Sequence, residues 1–340
     1  MSELLVRIEG RAGRLTLNRP QALNALTHDQ CLQTEAALLA WRDDPAVDLV
    51  ILDAVGERAF CAGGDIAQVA AAGRAGDFAM GRDFWRDEYR MNLLLATYPK
   101  PIVSFMQGFV MGGGVGYGCH VRHRIVGETT QMAMPECGIG LIPDVGGTWL
   151  LGQAPGQMGV YLALTAARMG PGDALAAGFA DHFIPEAEWD RVKQRLCTTG
   201  DLAGLPVHNA PEAALFATLG TIDALFALPD VPQILQALEA DDSPLAASAR
   251  KAMRRNAPLS MACTLQMLRP APTSLAAALA QEFRWTWRAM DRGDFLEGVR
   301  AQILDKDRNP TWQHARPEDV TPAEIAAMLA PLGDNELSLA

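Results

Sequence analysis

Apolar and polar positions alternate with short periods at the start of this chain and fall into longer, proline-separated blocks towards its end. In the first twenty residues Val6 and Ile8 point one way, Gly10 to Gly13 offers a turn, and Leu15 and Leu17 return before Asn18-Arg19-Pro20. That pattern predicts a β-hairpin. Thr27 followed by Gln30 has the spacing of a capping box and predicts a helix through Leu32, Leu38 and Leu39 to Trp41. Residues 48–53 read as a short apolar strand, with the loop Phe60-Cys-Ala-Gly-Gly-Asp65 after it. A helix bearing Phe84, Trp85, Tyr89 and Leu93 to Leu95 should stop before Pro99, and residues 102–106 should form a strand. A glycine segment, a further strand near Ile125 and an acid-bearing stretch complete this part.

Helix and strand alternate through this region, which indicates an α/β layer architecture. Beyond about residue 200 the pattern becomes helical: 211–228, 232–238, 244–255, 259–268 and 274–290 are separated by prolines or polar breaks. The expected division is an α/β core over 1–200 and, over 201–340, a helical insert and C-terminal helical region packed on it. No period of 20–50 residues recurs, so a solenoid is not expected.

The composition, 49% hydrophobic and 20% charged over 340 residues, suits a chain able to bury a large core. A net charge of −11 argues against a general nucleic-acid surface, which needs clustered cations. Arg250-Lys251 with Arg254-Arg255 is a local basic cluster, read as a solvated helix face or as a phosphate contact. Six scattered cysteines make no C-x-x-C pair, and the N-terminus enters strand-like sequence at once. The expectation is a reduced, cytoplasmic protein with buried thiols and no membrane span.

Candidate chemistry concentrates in Met132-Ala-Met-Pro-Glu-Cys-Gly-Ile-Gly-Leu-Ile-Pro-Asp-Val-Gly-Gly147. Glu136 and Asp144 each follow a proline amid apolar residues and glycine, with no lysine or arginine near them. Acids placed where burial raises their pKa suit proton transfer or nucleophilic work; turn and capping duty is the plainer reading. Two loop-to-helix junctions, Gly63-Gly64-Asp65 and Gly112-Gly113-Gly114, could aim backbone N–H groups at one oxygen, or could serve only close packing. One donor of such an oxyanion hole typically contributes about 3–4 kcal/mol to transition-state stabilisation. Glu88 is a third candidate acid, with a surface salt bridge as its competitor, and His120 reads as a core histidine. No register over 112–118 spells a dinucleotide or P-loop motif, no Ser or Cys sits in a nucleophile elbow, and no spacing suggests a metal.

Four segments, Asn18-Arg-Pro-Gln-Ala-Leu-Asn-Ala-Leu26, Phe60-Cys-Ala-Gly-Gly-Asp65, Met111-Gly-Gly-Gly114 and Pro143-Asp-Val-Gly-Gly147, resemble the enoyl-CoA hydratase/isomerase (crotonase) superfamily. Within it, Asp294-Phe-Leu-Glu-Gly-Val-Arg-Ala301 and Asp305-Lys-Asp-Arg-Asn-Pro-Thr-Trp312 are similar to the tail of the 3-hydroxyisobutyryl-CoA hydrolases. The resemblance runs in order from about residue 5 to about residue 320. It implies a crotonase-like spiral of ββα turns with a helical C-terminal region, and a thioester oxygen held by the N–H groups of Gly64 and Gly113. It further implies Glu136 as the catalytic glutamate, Asp144 as the second acid and Glu88 as a substrate contact, in an enzyme of valine catabolism. Coenzyme A enters as part of the acyl-CoA substrate, with no separate cofactor; superfamily members often form trimers or hexamers, so a homo-oligomer is an expectation.

The departures from the hydratases matter. Similar hydratases carry a glutamate on the glycine helix where Gly116 stands here, and dienoyl-CoA isomerases place an aspartate there. Addition of water across a C=C bond wants two acids on one water, whereas hydrolysis needs one carboxylate as nucleophile or general base and an acid for the leaving thiolate. A thioester hydrolase is therefore expected, with a hydratase or isomerase, or a non-catalytic acyl-CoA-binding scaffold, as the alternatives.

Overall fold

The computed structural model describes residues 2–339. Nine strands are described: β1 (Leu4–Glu9), β2 (Ala12–Leu17), β3 (Leu49–Ala54), β4 (Ala59–Cys61), β5 (Ile102–Met106), β6 (Phe109–Met111), β7 (His123–Val126), β8 (Gln131–Ala133) and β9 (His182–Phe183). Their helices are α1 (His28–Trp41), α2 (Ile66–Arg74), α3 (Ala79–Thr97), α4 (Gly113–Cys119), α5 (Gly147–Gln153), α6 (Met158–Thr165), α7 (Pro171–Ala176) and α8 (Trp189–Thr199). The later part adds α9 (Leu219–Phe226), α10 (Val231–Ala240), α11 (Pro244–Met253), α12 (Pro258–Leu268), α13 (Leu275–Arg292), α14 (Phe295–Val299) and α15 (Pro322–Leu329).

Two compact units interleave along the chain: Met1–Gly64, Asp87–Ala133 and Arg168–Phe216 form one, and Asp65–Arg86, Met134–Ala167 and Ala217–Ala340 the other. These units cut across a division at residue 200, because segments from both halves of the sequence contribute to each.

All nine strands lie in the first unit. Six make a sheet in the order β1-β2-β3-β5-β7-β9, antiparallel at the β1–β2 hairpin and parallel elsewhere. The other three form a parallel sheet, β4-β6-β8. From β3 onward consecutive strands enter the two sheets alternately, which is the stacked-turn arrangement the resemblance implies. One face of the larger sheet buries Ala12, Leu49, Ile51, Val103, Phe105 and Ile125 against Trp189, Val192 and Leu196 of α8.

Local signals survive well here. Thr27 accepts from Gln30 N–H and Gln30 closes the capping box on α1. The hairpin turn is tighter than the sequence indicated: Ala12 and Gly13 already pair with Glu9 and Ile8, so only Gly10 and Arg11 turn. Val6 and Ile8 share a face as expected, but both are 44% exposed, since β1 is an edge strand. β4, β6, β8 and β9 have no signature in the sequence, because runs of two or three residues show no period.

The second unit is helical apart from its loops. Four of the five C-terminal helices read from sequence fall within a few residues of α10, α11, α12 and α13, and Ser243 and Ser274 cap α11 and α13. The helix expected over 211–228 begins late: a 3₁₀ turn at Leu215–Thr218 precedes α9. Of the basic cluster, Arg254 pairs with Glu239 and Arg250 donates to the Leu238 carbonyl, so those two serve the α10–α11 corner.

Candidate active site

In the first unit the glycine motifs are shaped by backbone geometry and by space. Gly63 and Gly112 hold φ of +116° and +48°, in the region that favours glycine. Cβ atoms on Gly114 and Gly118 would run into the Cys61 carbonyl and into Met106 and Phe60, so α4 sits against its neighbours as only glycine allows. Ser104 Oγ donates to the Gly118 carbonyl at 2.8 Å and locks α4 to β5. Part of the glycine pattern is therefore packing.

Gly113 is different. A Cβ there would lie 2.9 Å from Glu88 Oε1 and 3.0 Å from the Gly64 nitrogen. The two sequence-selected glycines and Glu88 thus come together at one place. Glu88 is 3% exposed, so its carboxyl is not a solvated surface group. One turn further along α3, Asn92 is fully buried, and no hydrogen-bond partner of its amide is found among the described residues.

The Gly63–Gly64 loop is held by the segment that carries the first sequence motif. Leu26 N–H donates to the Gly63 carbonyl at 2.9 Å and Ala62 N–H to the Leu23 carbonyl at 3.1 Å. Asn24, 1% exposed, makes that segment rigid: its Oδ1 accepts from Arg19 N–H, and its Nδ2 donates to the carbonyls of Val55 and Ala59. Sequence reasoning assigns Asn24 no role; its φ of +54° lies in the left-handed region that asparagine tolerates.

Burial holds the nearby thiols towards their protonated form. Burial pushes Cys61 up to about 12, with the charge of Glu88 adding to the effect, and burial raises Cys31 well above its ordinary value. His120 closes the C-terminal end of α4, half-buried.

In the second unit Glu136 opens a 3₁₀ turn, Glu136–Ile139, ended by Gly140 at φ +67°. Leu141 N–H donates to the Glu136 carbonyl at 3.0 Å, and Ala257 N–H, at the head of α12, donates to the Cys137 carbonyl at 2.9 Å. Side chains on Gly140 and Gly298 would collide with the backbone of Asp294 and Ile139 respectively, so α14 lies directly on this turn. Glu136 and Asp144 are each 4% exposed. Both are buried acids, and both also begin a turn.

Asp144 begins a tight turn in which Gly147 N–H donates to its carbonyl at 2.6 Å. Below that turn lies an acid the sequence reading did not single out. Glu282 of α13 accepts from Gly146 N–H at 2.7 Å, Thr148 N–H at 3.0 Å and Thr148 Oγ1 at 2.5 Å. Burial pushes its carboxyl up to about 8; the bonds from Thr148 and Gly146 oppose that rise and the charge of Asp144 adds to it. Its signal was an acid on the apolar face of α13, among Leu275, Ala278, Leu279 and Phe283.

The enoyl-CoA hydratase/isomerase family model matches residues 12–329. A relative from Gallus gallus, named 3-hydroxyisobutyryl-CoA hydrolase, mitochondrial, is 38% identical, covering 99% of this chain and 91% of that protein. A solved structure titled as an enoyl-CoA hydratase from Rhodobacter sphaeroides 2.4.1 is 58% identical with a TM-score of 0.97, covering 99% of this chain and all (100%) of that one. Another, titled as a carnitinyl-CoA dehydratase from Mycobacterium thermoresistibile, is 41% identical with a TM-score of 0.95, covering 100% and 99% of the two chains.

Proposed function

The chain belongs to the enoyl-CoA hydratase/isomerase family, and within it we propose that the protein hydrolyses the thioester of 3-hydroxyisobutyryl-CoA or a similar short 3-hydroxyacyl-CoA. The observation that carries this reading is a pair of buried carboxyl groups, Glu136 and Asp144, together with a glycine helix, Gly113–Cys119, that holds no acid. The name of the Gallus gallus relative supports the same substrate; a place in valine catabolism is what the sequence resemblance implies.

In this reading the N–H groups of Gly64 and Gly113 stabilise the negative charge that develops on the thioester oxygen. Glu136 attacks the carbonyl carbon to give an acyl-enzyme anhydride, the C–S bond breaks, and water then cleaves the anhydride to the hydroxy acid. The competing role for Glu136 is activation of that water as general base. Asp144 orients the substrate hydroxyl or protonates the departing sulfur, and Glu88 contacts the substrate. Solvent ¹⁸O found in Glu136 after a single turnover would identify the nucleophilic route. No cofactor beyond the substrate's own coenzyme A is required. Six free cysteines, five of them buried, fit a reducing compartment; we read it as cytoplasmic, whereas the Gallus gallus protein is named mitochondrial.

The titles of the two solved structures favour a second reading, hydration or dehydration of an enoyl-CoA. Thiol release from 3-hydroxyisobutyryl-CoA, followed beside loss of enoyl-thioester absorbance from a short enoyl-CoA, separates the two. Thiol release without hydration is expected; hydration without thiol release would overturn the hydrolase reading, and neither signal would leave an acyl-CoA-binding scaffold.

A further inference from the structure

Glu282 is fully buried on a helix face that is otherwise apolar or small. A carboxyl group in such a place is costly unless its oxygens are bound. Both are bound, and all three donors belong to the few residues that follow Asp144: Gly146 N–H to Oε2, Thr148 N–H and Oγ1 to Oε1.

The link between Asp144 and those donors is strained at one residue. Val145 has φ +54° and Gly146 φ +78°. Glycine adopts such angles freely, but a β-branched residue there is a genuine outlier, held only where its surroundings over-determine it. The Gly147 N–H bond to the Asp144 carbonyl closes the turn from one side. Glu282 closes it from the other, gripping the chain on the far side of the strained residue. Asp144 is the residue that this strained link carries.

We propose that Glu282 is a positioning residue: by binding Gly146 and Thr148 it holds the strained Val145 turn and thereby fixes where the Asp144 carboxyl stands. The inference rests on the assignment of Asp144 to the hydrolytic site made above. A role limited to anchoring the start of α5 would affect stability alone. A positioning role affects kcat while leaving substrate affinity nearly unchanged.

The discriminating variant is Glu282→Gln. A carboxyl group, ionised or protonated, can accept on both of its oxygens, whereas glutamine has a single oxygen, so its NH₂ must face either the Gly146 or the Thr148 N–H, donor against donor. In a thioester-hydrolysis assay E282Q should lower kcat at least tenfold with KM changed less than twofold, in a protein that keeps its circular dichroism and cooperative melt. Adding Val145→Gly, which relieves the strained angle, should restore at least threefold of that loss. Wild-type kcat in E282Q, or a loss that V145G does not restore, would overturn the proposal.

Should E282Q fail to fold, Thr148→Val and Thr148→Ser decide. The valine variant removes only the hydroxyl donor and should lower kcat about threefold, a loss the serine variant should reverse; wild-type kcat in T148V would count against the proposal. Asp144→Asn separates the two layers of the reading. A loss in D144N beside an unaffected E282Q sinks the role of Glu282 alone. An active enzyme indifferent to D144N sinks the assignment of Asp144 and the positioning role with it.

Discussion

Alanine at Gly113 would place a Cβ 2.9 Å from Glu88 Oε1 and 3.0 Å from the Gly64 nitrogen, so the groups that must give way are those assigned to the thioester. G113A should therefore lower kcat about 10²–10³-fold, the usual effect of disturbing an oxyanion donor, while a thermal melt shifts little. One residue on, G114A meets the Cys61 backbone instead and should register as lost stability in urea rather than as a selective loss of kcat. Glu136→Gln should lower turnover by about 10²–10⁴-fold, the range for a catalytic acid–base group, with calorimetric binding of the acyl-CoA nearly retained. These residues were legible because each stands out in its own neighbourhood: acids after prolines in apolar company, glycines in pairs at loop-to-helix junctions. Glu282 did not stand out. Two of its three donors are backbone N–H groups more than 130 residues away along the chain, and a backbone donor leaves no mark on the sequence.

Elements with a local cause were likewise readable, and α1 with its Thr27 box, the β1–β2 hairpin and the capped α11 and α13 are of that kind. β4, β6 and β8 exist only because each finds a neighbour in the three-stranded sheet, so no run of three residues announces them. The Gly63–Gly64 loop is an element of a third kind, held in place by one side chain. Asn24→Ala would strand the Val55 and Ala59 carbonyls and the Arg19 N–H, and should cost about 2–4 kcal/mol in urea denaturation. α13 makes a pH prediction. Glu282 rises from its ordinary 4.5 to about 8, so the folded chain holds a proton there that the unfolded chain has released. Between those values the folded state binds more protons, and stability falls as pH increases from about 5 to about 8. E282Q removes the titrating group and should flatten that part of the melting-temperature profile; an unchanged slope would mean that Glu282 is ionised throughout.

Over the whole molecule, the repeat is one of topology and not of sequence. From β3 onward the chain visits the two sheets alternately, yet the larger sheet receives its strands at residues 49, 102, 123 and 182, with no constant interval. That irregularity is why no period appeared in the sequence and why the stacked turns were expected only through the resemblance. The choice between the two family chemistries also belongs to this scale, since it depends on the full set of acids and on their absence from Gly113–Cys119. The most direct test is the rate of free CoA release from 3-hydroxyisobutyryl-CoA by the wild-type protein and by E136Q, read with a thiol reagent. The account predicts steady release by the wild type and a loss of about 10²–10⁴-fold in the variant. Equal rates in the two proteins, or no release by the wild type, would contradict it.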